Sequence, residues 1–249
     1  MDNKIAQENL NLPHDIVKLP SEGKFYKNNK KSVKVGYLTA VDENMLSSAA
    51  NMDGQQIIIN LVRSKMYEPD LRPEEMLEGD IEAILVFLRN TSFGSEYKFT
   101  SIDPETGKQF QTEISLDEIE FRKPEVEPDS RGLFSVTLPK SNKNVKLKIL
   151  TFGELNDLNR YNKTYIGSSY APTVTNKLLR QIVEVDGSTE QSVIQDFISK
   201  MPIMDSKFIS KFISDNEPKL ELNREVLAPS GKKVLVRISF GAEFFRPFF

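Results

Sequence analysis

The chain carries the same layout twice, and that repeat constrains its fold more than any other feature. Leu19-Pro20 leads into Val33-Lys34-Val35, then Leu38-Thr39, with Asp42, Glu43 and Leu46 behind. Further on, Leu138-Pro139 leads into Val145-Lys146-Leu147, then Leu150-Thr151, with Glu154, Leu155 and Leu158 behind. Leu61-Val62-Arg63 answers to Leu178-Leu179-Arg180, and Asp80 with its following apolar positions to Asp205 with its own. Each copy closes on a Gly-Lys turn, Gly107-Lys108 and Gly231-Lys232, between strand-like residues. Solenoid repeats run at roughly 20–50 residues per unit, so a longer unit present twice reads as a duplicated domain.

The expected fold is therefore α+β, built of two related domains. Each is a small antiparallel sheet with two or three helices and a closing hairpin. Residues 1–18 read as a polar N-terminal arm, 19–120 as the first repeat and 133–249 as the second. The stretch 121–132 between them, with Pro124, Pro128, Gly132 and dense charge, reads as a linker. In the first repeat, strands are expected around Leu19 and over Val33, Val35 and Tyr37. Ile57, Ile58, Leu61, Val62 and Met66 have the spacing of an amphipathic helix. Asp80 reads as the cap of a helix carrying Ile84, Leu85 and Leu88 and ending at Gly94. The second repeat adds an insertion rich in Tyr, Ser and Gly, from about Tyr161 to Thr175.

Composition narrows the chemistry. The chain has no cysteine, which removes disulfides, thiol nucleophiles and thiolate metal sites together. Its one histidine, His14, cannot by itself build a Ser–His–Asp triad or a multi-histidine metal site. The acid pairs Asp42-Glu43 and Glu74-Glu75 suit the first turns of helices, where the backbone dipole favours negative charge. Glu105-Thr-Gly-Lys108 and Ala228-Pro-Ser-Gly-Lys232 lack the first glycine and the terminal Ser or Thr of a phosphate loop, and they sit between strands. They read as hairpin turns. With 33 basic and 36 acidic residues, the chain lacks the positive excess that drives binding to a phosphate backbone, so no nucleic-acid partner is expected. The longest apolar run, Ala83–Leu88, is six residues, against the roughly 20 that a membrane span requires. The first residues carry no basic-then-apolar signal, so a cytoplasmic location is expected. No catalytic residue, cofactor or metal is assigned.

The last ten residues hold five phenylalanines. Val234, Val236 and Ile238 alternate as a strand, and Pro247 stops further pairing. Phe244 and Phe245 are expected to anchor the second domain. Pro247, Phe248 and Phe249 are expected to meet a partner or another copy, since aromatic side chains dominate interface cores. All five residues 244, 245 and 247–249 are thus candidates for partner binding.

The opening Leu19-Pro20-Ser21-Glu22-Gly23, followed by Leu38-Thr39 and Asp42-Glu43, resembles that of a protein family from contractile-tailed phages. So do Asp80 with its helix to Leu88-Arg89, the run Ser92-Phe93-Gly94-Ser95-Glu96-Tyr97, and the ending Phe244-Phe245-Arg246-Pro247. The family is that of the T4-type baseplate proteins, including the baseplate hub subunit and the hub assembly catalyst. The resemblance implies a non-enzymatic role in building the tail hub, as a component or as an assembly factor. It implies other hub proteins as partners, with self-association as a further mode. It places the chain in the host cytoplasm during assembly, or in the tail baseplate of the finished virion. Relatives carry paired cysteines where this chain has Asp103–Thr106, giving a zinc-knuckle hairpin; without those cysteines no metal carries over. The rival readings are a metal-dependent hydrolase with an acidic site and a nucleic-acid-binding adaptor.

Overall fold

A computed structural model describes residues 13–47 and 54–245. The first half opens on an antiparallel hairpin, β1 (His14–Lys18) and β2 (Ser32–Gly36), with Val17 opposite Val33. Helices α1 (Ala40–Ser47) and α2 (Gly54–Lys65) follow, and then Met66 returns to bridge Val35 on β2. A 3₁₀ turn over Pro73–Glu75 precedes α3 (Glu78–Phe93), and the hairpin β3 (Glu96–Ile102) and β4 (Gln109–Ser115) closes the half. The short strand β5 (Phe121–Arg122) comes next.

The second half follows a similar order. Its hairpin is β6 (Leu133–Thr137) with β7 (Asn144–Lys148), then come α4 (Phe152–Lys163) and α5 (Thr173–Gln181). The chain again returns to the second strand, here as a full strand β8 (Ile182–Val185) on β7. After α6 (Gln191–Ser199) come α7 (Ile203–Asn216), a short β9 (Lys219–Leu220), and the hairpin β10 (Asn223–Leu227) with β11 (Lys233–Arg237). The expected α+β class with small antiparallel sheets is what the chain adopts. The second half carries four helices among the described residues where two or three were expected, the extra one being α6, seated through Ile194 and Ile198.

Other expectations need correction. The first strand lies at His14–Lys18, inside the stretch read as an arm. Leu19 already belongs to the turn, where its N–H donates to Lys31 across the hairpin mouth (2.9 Å). Ile16 faces solvent and Val17 the core, so a two-residue alternation beside polar neighbours gave little signal. Nor does Asp80 cap its helix: α3 starts at Glu78 behind Leu77, and α7 starts at Ile203 behind Pro202. Both aspartates are the third residue of their helix, within the first turn, and are fully buried.

Their partners explain that burial. Asp80 accepts the backbone N–H of Ser21 (2.9 Å) and the hydroxyl of Tyr26. Asp205 accepts the backbone N–H groups of Lys140 (2.8 Å) and Ser141 (3.0 Å). Ser21 and Lys140 each follow the proline of a Leu-Pro pair, so in both halves a helical aspartate binds the opening turn of the first hairpin. A buried carboxylate is tolerable only when its lone pairs are filled in this way.

The two halves share one continuous core. It runs from Val33, Val35, Leu61 and Ile84 through Phe134, Leu147 and Ile209 to Phe244. The stretch expected as a linker takes part in joining them. Its β5 pairs with β9, Phe121 opposite Leu220, and Asn216 on α7 accepts the N–H of Val126 (2.7 Å). At a second junction the N–H of Phe152 donates to Met76 (2.7 Å), and Gly153 lies so close to Glu74 that a β-carbon would crowd its backbone.

Candidate functional site

The C-terminal aromatics were the principal candidates. After β11 the chain turns through a 3₁₀ segment, Ala242–Phe245, that packs on α1 and α3 of the first half. Phe244 is 1% exposed and Phe245 is likewise buried. The Phe244 ring lies 4.8 Å from Phe240, 5.2 Å from Phe245 and 5.4 Å from Tyr97 on β3. The pair therefore fastens the end of the second half to the first by apolar burial and the tilted Phe244–Tyr97 contact, while edge-to-face contacts order the three phenylalanines among themselves. Pro247, Phe248 and Phe249 lie outside the described residues.

The closing hairpins meet at their tips. Asp103, at the turn of β3–β4, accepts the hydroxyl (2.8 Å) and the backbone N–H (3.1 Å) of Ser230, at the turn of β10–β11. It also accepts the N–H of Glu105 in its own turn (2.9 Å). Against the pull of burial, these bonds hold its carboxyl below the usual range. Gly107 and Gly231 take the positive φ (68° and 79°) that each tight turn requires. Neither Gly-Lys turn has a helix behind it to present N–H donors to a phosphate. Beside the joined tips, Ile102, Leu227 and Leu235 face solvent, Leu235 with 69% of its surface exposed. Leu227 and Leu235 share one face of their hairpin, diagonal across the pair.

A second apolar surface lies on the Tyr161–Thr175 insertion. The hydroxyls of Tyr161 and Tyr165 meet at 2.8 Å, while Ile166, Tyr170 and Val174 are exposed, Ile166 by 82%. The sequence marked this segment by its extra length but not by its apolar exposure, because isolated Ile and Val among Ser and Gly show no periodicity.

Asp42, Glu74 and Glu75 of the acid pairs are held by structural partners. Burial opposes ionisation of Asp42, but hydrogen bonds from Lys65 and from the Thr39 hydroxyl and N–H (both 2.7 Å) keep its carboxyl below the ordinary range. The equivalent positions in the second half, Thr151 and Glu154, form a reciprocal capping box at the start of α4. Glu74 pairs with Arg63, and Glu75 with Arg72 (2.6 Å). Among the described residues no group of three or more His, Cys, Asp or Glu is arranged to hold a metal ion. No helix among them is long and apolar enough to cross a membrane.

The arrangement thus presents bound turns, buried anchors and exposed apolar side chains. The family described as T4 bacteriophage base plate protein has a model that matches residues 13–246. No curated protein matches the chain. No solved structure does either. The match spans both halves and nearly the whole chain, and the chain belongs to the family of T4 bacteriophage base plate proteins.

Proposed function

We propose that this protein works at the central hub of a contractile-tail baseplate, without catalysis, through contacts with other hub proteins and with further copies of itself. The observation that carries the reading is the family match along residues 13–246. The exposed apolar side chains at the joined hairpin tips and on the insertion support it, because a partner that covered them would remove apolar surface from water. Pro247, Phe248 and Phe249 are proposed as partner contacts, following the buried anchor of Phe244 and Phe245. The protein acts in the host cytoplasm while the tail is built, and a component would persist into the virion.

Tagged protein purified from infected cells, compared by mass spectrometry with purified virions, tests this directly. Hub proteins co-purifying from the lysate are expected. Presence in the virion makes the chain a component, and presence in the lysate alone makes it an assembly factor. A chain that co-purifies with no tail protein from infected cells defeats the proposal.

A further inference from the structure

The outer face of α7 carries opposite charge at its two ends. Asp205, Ile209, Ile213 and Asn216 turn into the core. Ile203, Lys207, Ser210, Lys211 and Ser214 share the opposite side, which faces solvent. At the start of the helix Ile203 is 74% exposed and Met204 60%. Lys207 lies one turn on. The Lys140 backbone, whose N–H donates to Asp205 (2.8 Å), brings a second exposed lysine to the same end. Among the described residues neither lysine forms an ion pair.

The other end is acidic. Asn216 accepts the N–H of Val126 (2.7 Å), which sets the 122–127 segment beside the last turn of α7. Val126 is exposed there, as are Glu125 and Glu127. The cations of that segment are already engaged, Arg122 with Asp215 (3.5 Å) and Lys123 with Glu22 (3.1 Å). Lys211, within electrostatic reach of Glu125, pairs instead with Asp215 (2.7 Å), and Glu127 pairs with Lys24 (2.9 Å). Glu125 is left without an ion pair of its own. Between the two ends stands Ser210, at the middle of a helix about 21 Å long. Its small side chain lets another backbone come close.

We propose that two copies of the chain pair through α7, antiparallel about a two-fold axis at Ser210. Lys140 and Lys207 of each copy then face Glu125 of the other, and Ile203 and Met204 of each cover Val126 of the other.

The charges select this arrangement. In the antiparallel pair each basic end meets an acidic end, and the contact occurs twice. A parallel pair would set lysine against lysine and Glu125 against Glu125, and like charges facing across an interface are unfavourable. Antiparallel helices also bring opposite ends of their dipoles side by side. Ile203, Met204 and Val126 leave water in the same step, which adds apolar burial at both ends. A patch that binds itself closes at two copies, with no surface left over to add a third. The pairing specifies the self-association contained in the hub reading, and it rests on that reading.

Sedimentation velocity of the purified full chain tests it. A concentration-dependent equilibrium of monomer and dimer is expected, moving toward monomer as salt rises. Lys207→Glu and Glu125→Lys should each raise the dimer dissociation constant at least about tenfold, because each reversal sets like charges together at two places. An equimolar mixture of the two variants should recover the dimer, since opposite charges then face each other again at both. Ser210→Arg, which brings two guanidinium groups to the axis, should abolish the dimer while the thermal melt stays in place.

A wild-type chain that is monomeric at every concentration overturns the proposal, as do oligomers that grow without closing. So does a dimer that Lys207→Glu and Ser210→Arg both leave intact, or a mixture that fails to recover it. If Glu125→Lys does not fold, Lys207→Glu and Ser210→Arg decide between them. A monomeric wild type whose capture of hub proteins is lost in Ser210→Arg would give this face to another protein and so also overturn the pairing. The sedimentation needs no tail protein, so the dimer can fail while the hub reading stands, and hub capture can fail while the dimer stands.

Discussion

Ser230 gives both its hydroxyl and its backbone N–H to the carboxylate of Asp103, and so ties together two hairpin tips 127 residues apart in sequence. The Asp103 carboxylate accepts four donors, two within its own turn and two from the turn of β10–β11.

If Asp103 is the tie, Asp103→Ala should lower the thermal midpoint, and Ser230→Ala in the same background should add little. Separate loss of the two would show that they act independently. A double-mutant cycle followed by circular dichroism makes the distinction.

Leu88 is fully buried on α3, beside Ile84 and Leu85. Leu88→Ala should cost about 2–5 kcal/mol in chemical denaturation, from lost transfer energy plus the cavity left behind. A cost under about 1 kcal/mol would mean that the surrounding helices collapse to fill the space.

Tyr26 both donates to Asp80 and accepts the N–H of Leu77 (2.9 Å). Tyr26→Phe removes a hydroxyl and leaves two buried groups short of a partner, so a loss of about 1–3 kcal/mol is expected. Urea unfolding measures it, and a neutral result would show that water replaces the hydroxyl.

Glycine within a helix is ordinarily worse than alanine by about 0.5–1 kcal/mol. At Gly79 the sign should reverse, because the added methyl meets Pro218 and Lys219 backbone. Gly79→Ala should therefore destabilise, typically by about 1–3 kcal/mol for overpacking. A stabilised variant in the same assay would show that this contact has slack.

Removing Phe248 and Phe249 tests the proposed partner role. The thermal melt should stay close to that of the full chain while capture by hub proteins in a pull-down weakens. Unchanged capture would place the contact surface elsewhere, with the joined tips and the Tyr161–Thr175 insertion next in line.

The sequence by itself determined many of the local elements and their order. Ile57, Leu61 and Val62 fall on one face at 3.6 residues per turn, so α2 was legible. Gly94 takes a positive φ (81°) and stops α3 where expected, and the two Gly-Lys turns form their hairpins. The α+β class follows from that pattern, while the family likeness rests on short motifs such as Leu19-Pro20-Ser21-Glu22-Gly23 and Ser92-Phe93-Gly94-Ser95-Glu96-Tyr97. Only the tertiary structure decided how the halves meet. Asp80 and Asp205 look like helix caps in sequence, since an acid near a helix start satisfies the backbone dipole wherever it points. Their true partners, Ser21 and Lys140, lie 59 and 65 residues away. The same holds for Asp103 with Ser230. Each depends on two distant backbones arriving together, and no spacing along the chain records such an approach. Periodicity reports which face of one element is apolar. What that face packs against is settled only when the whole core closes.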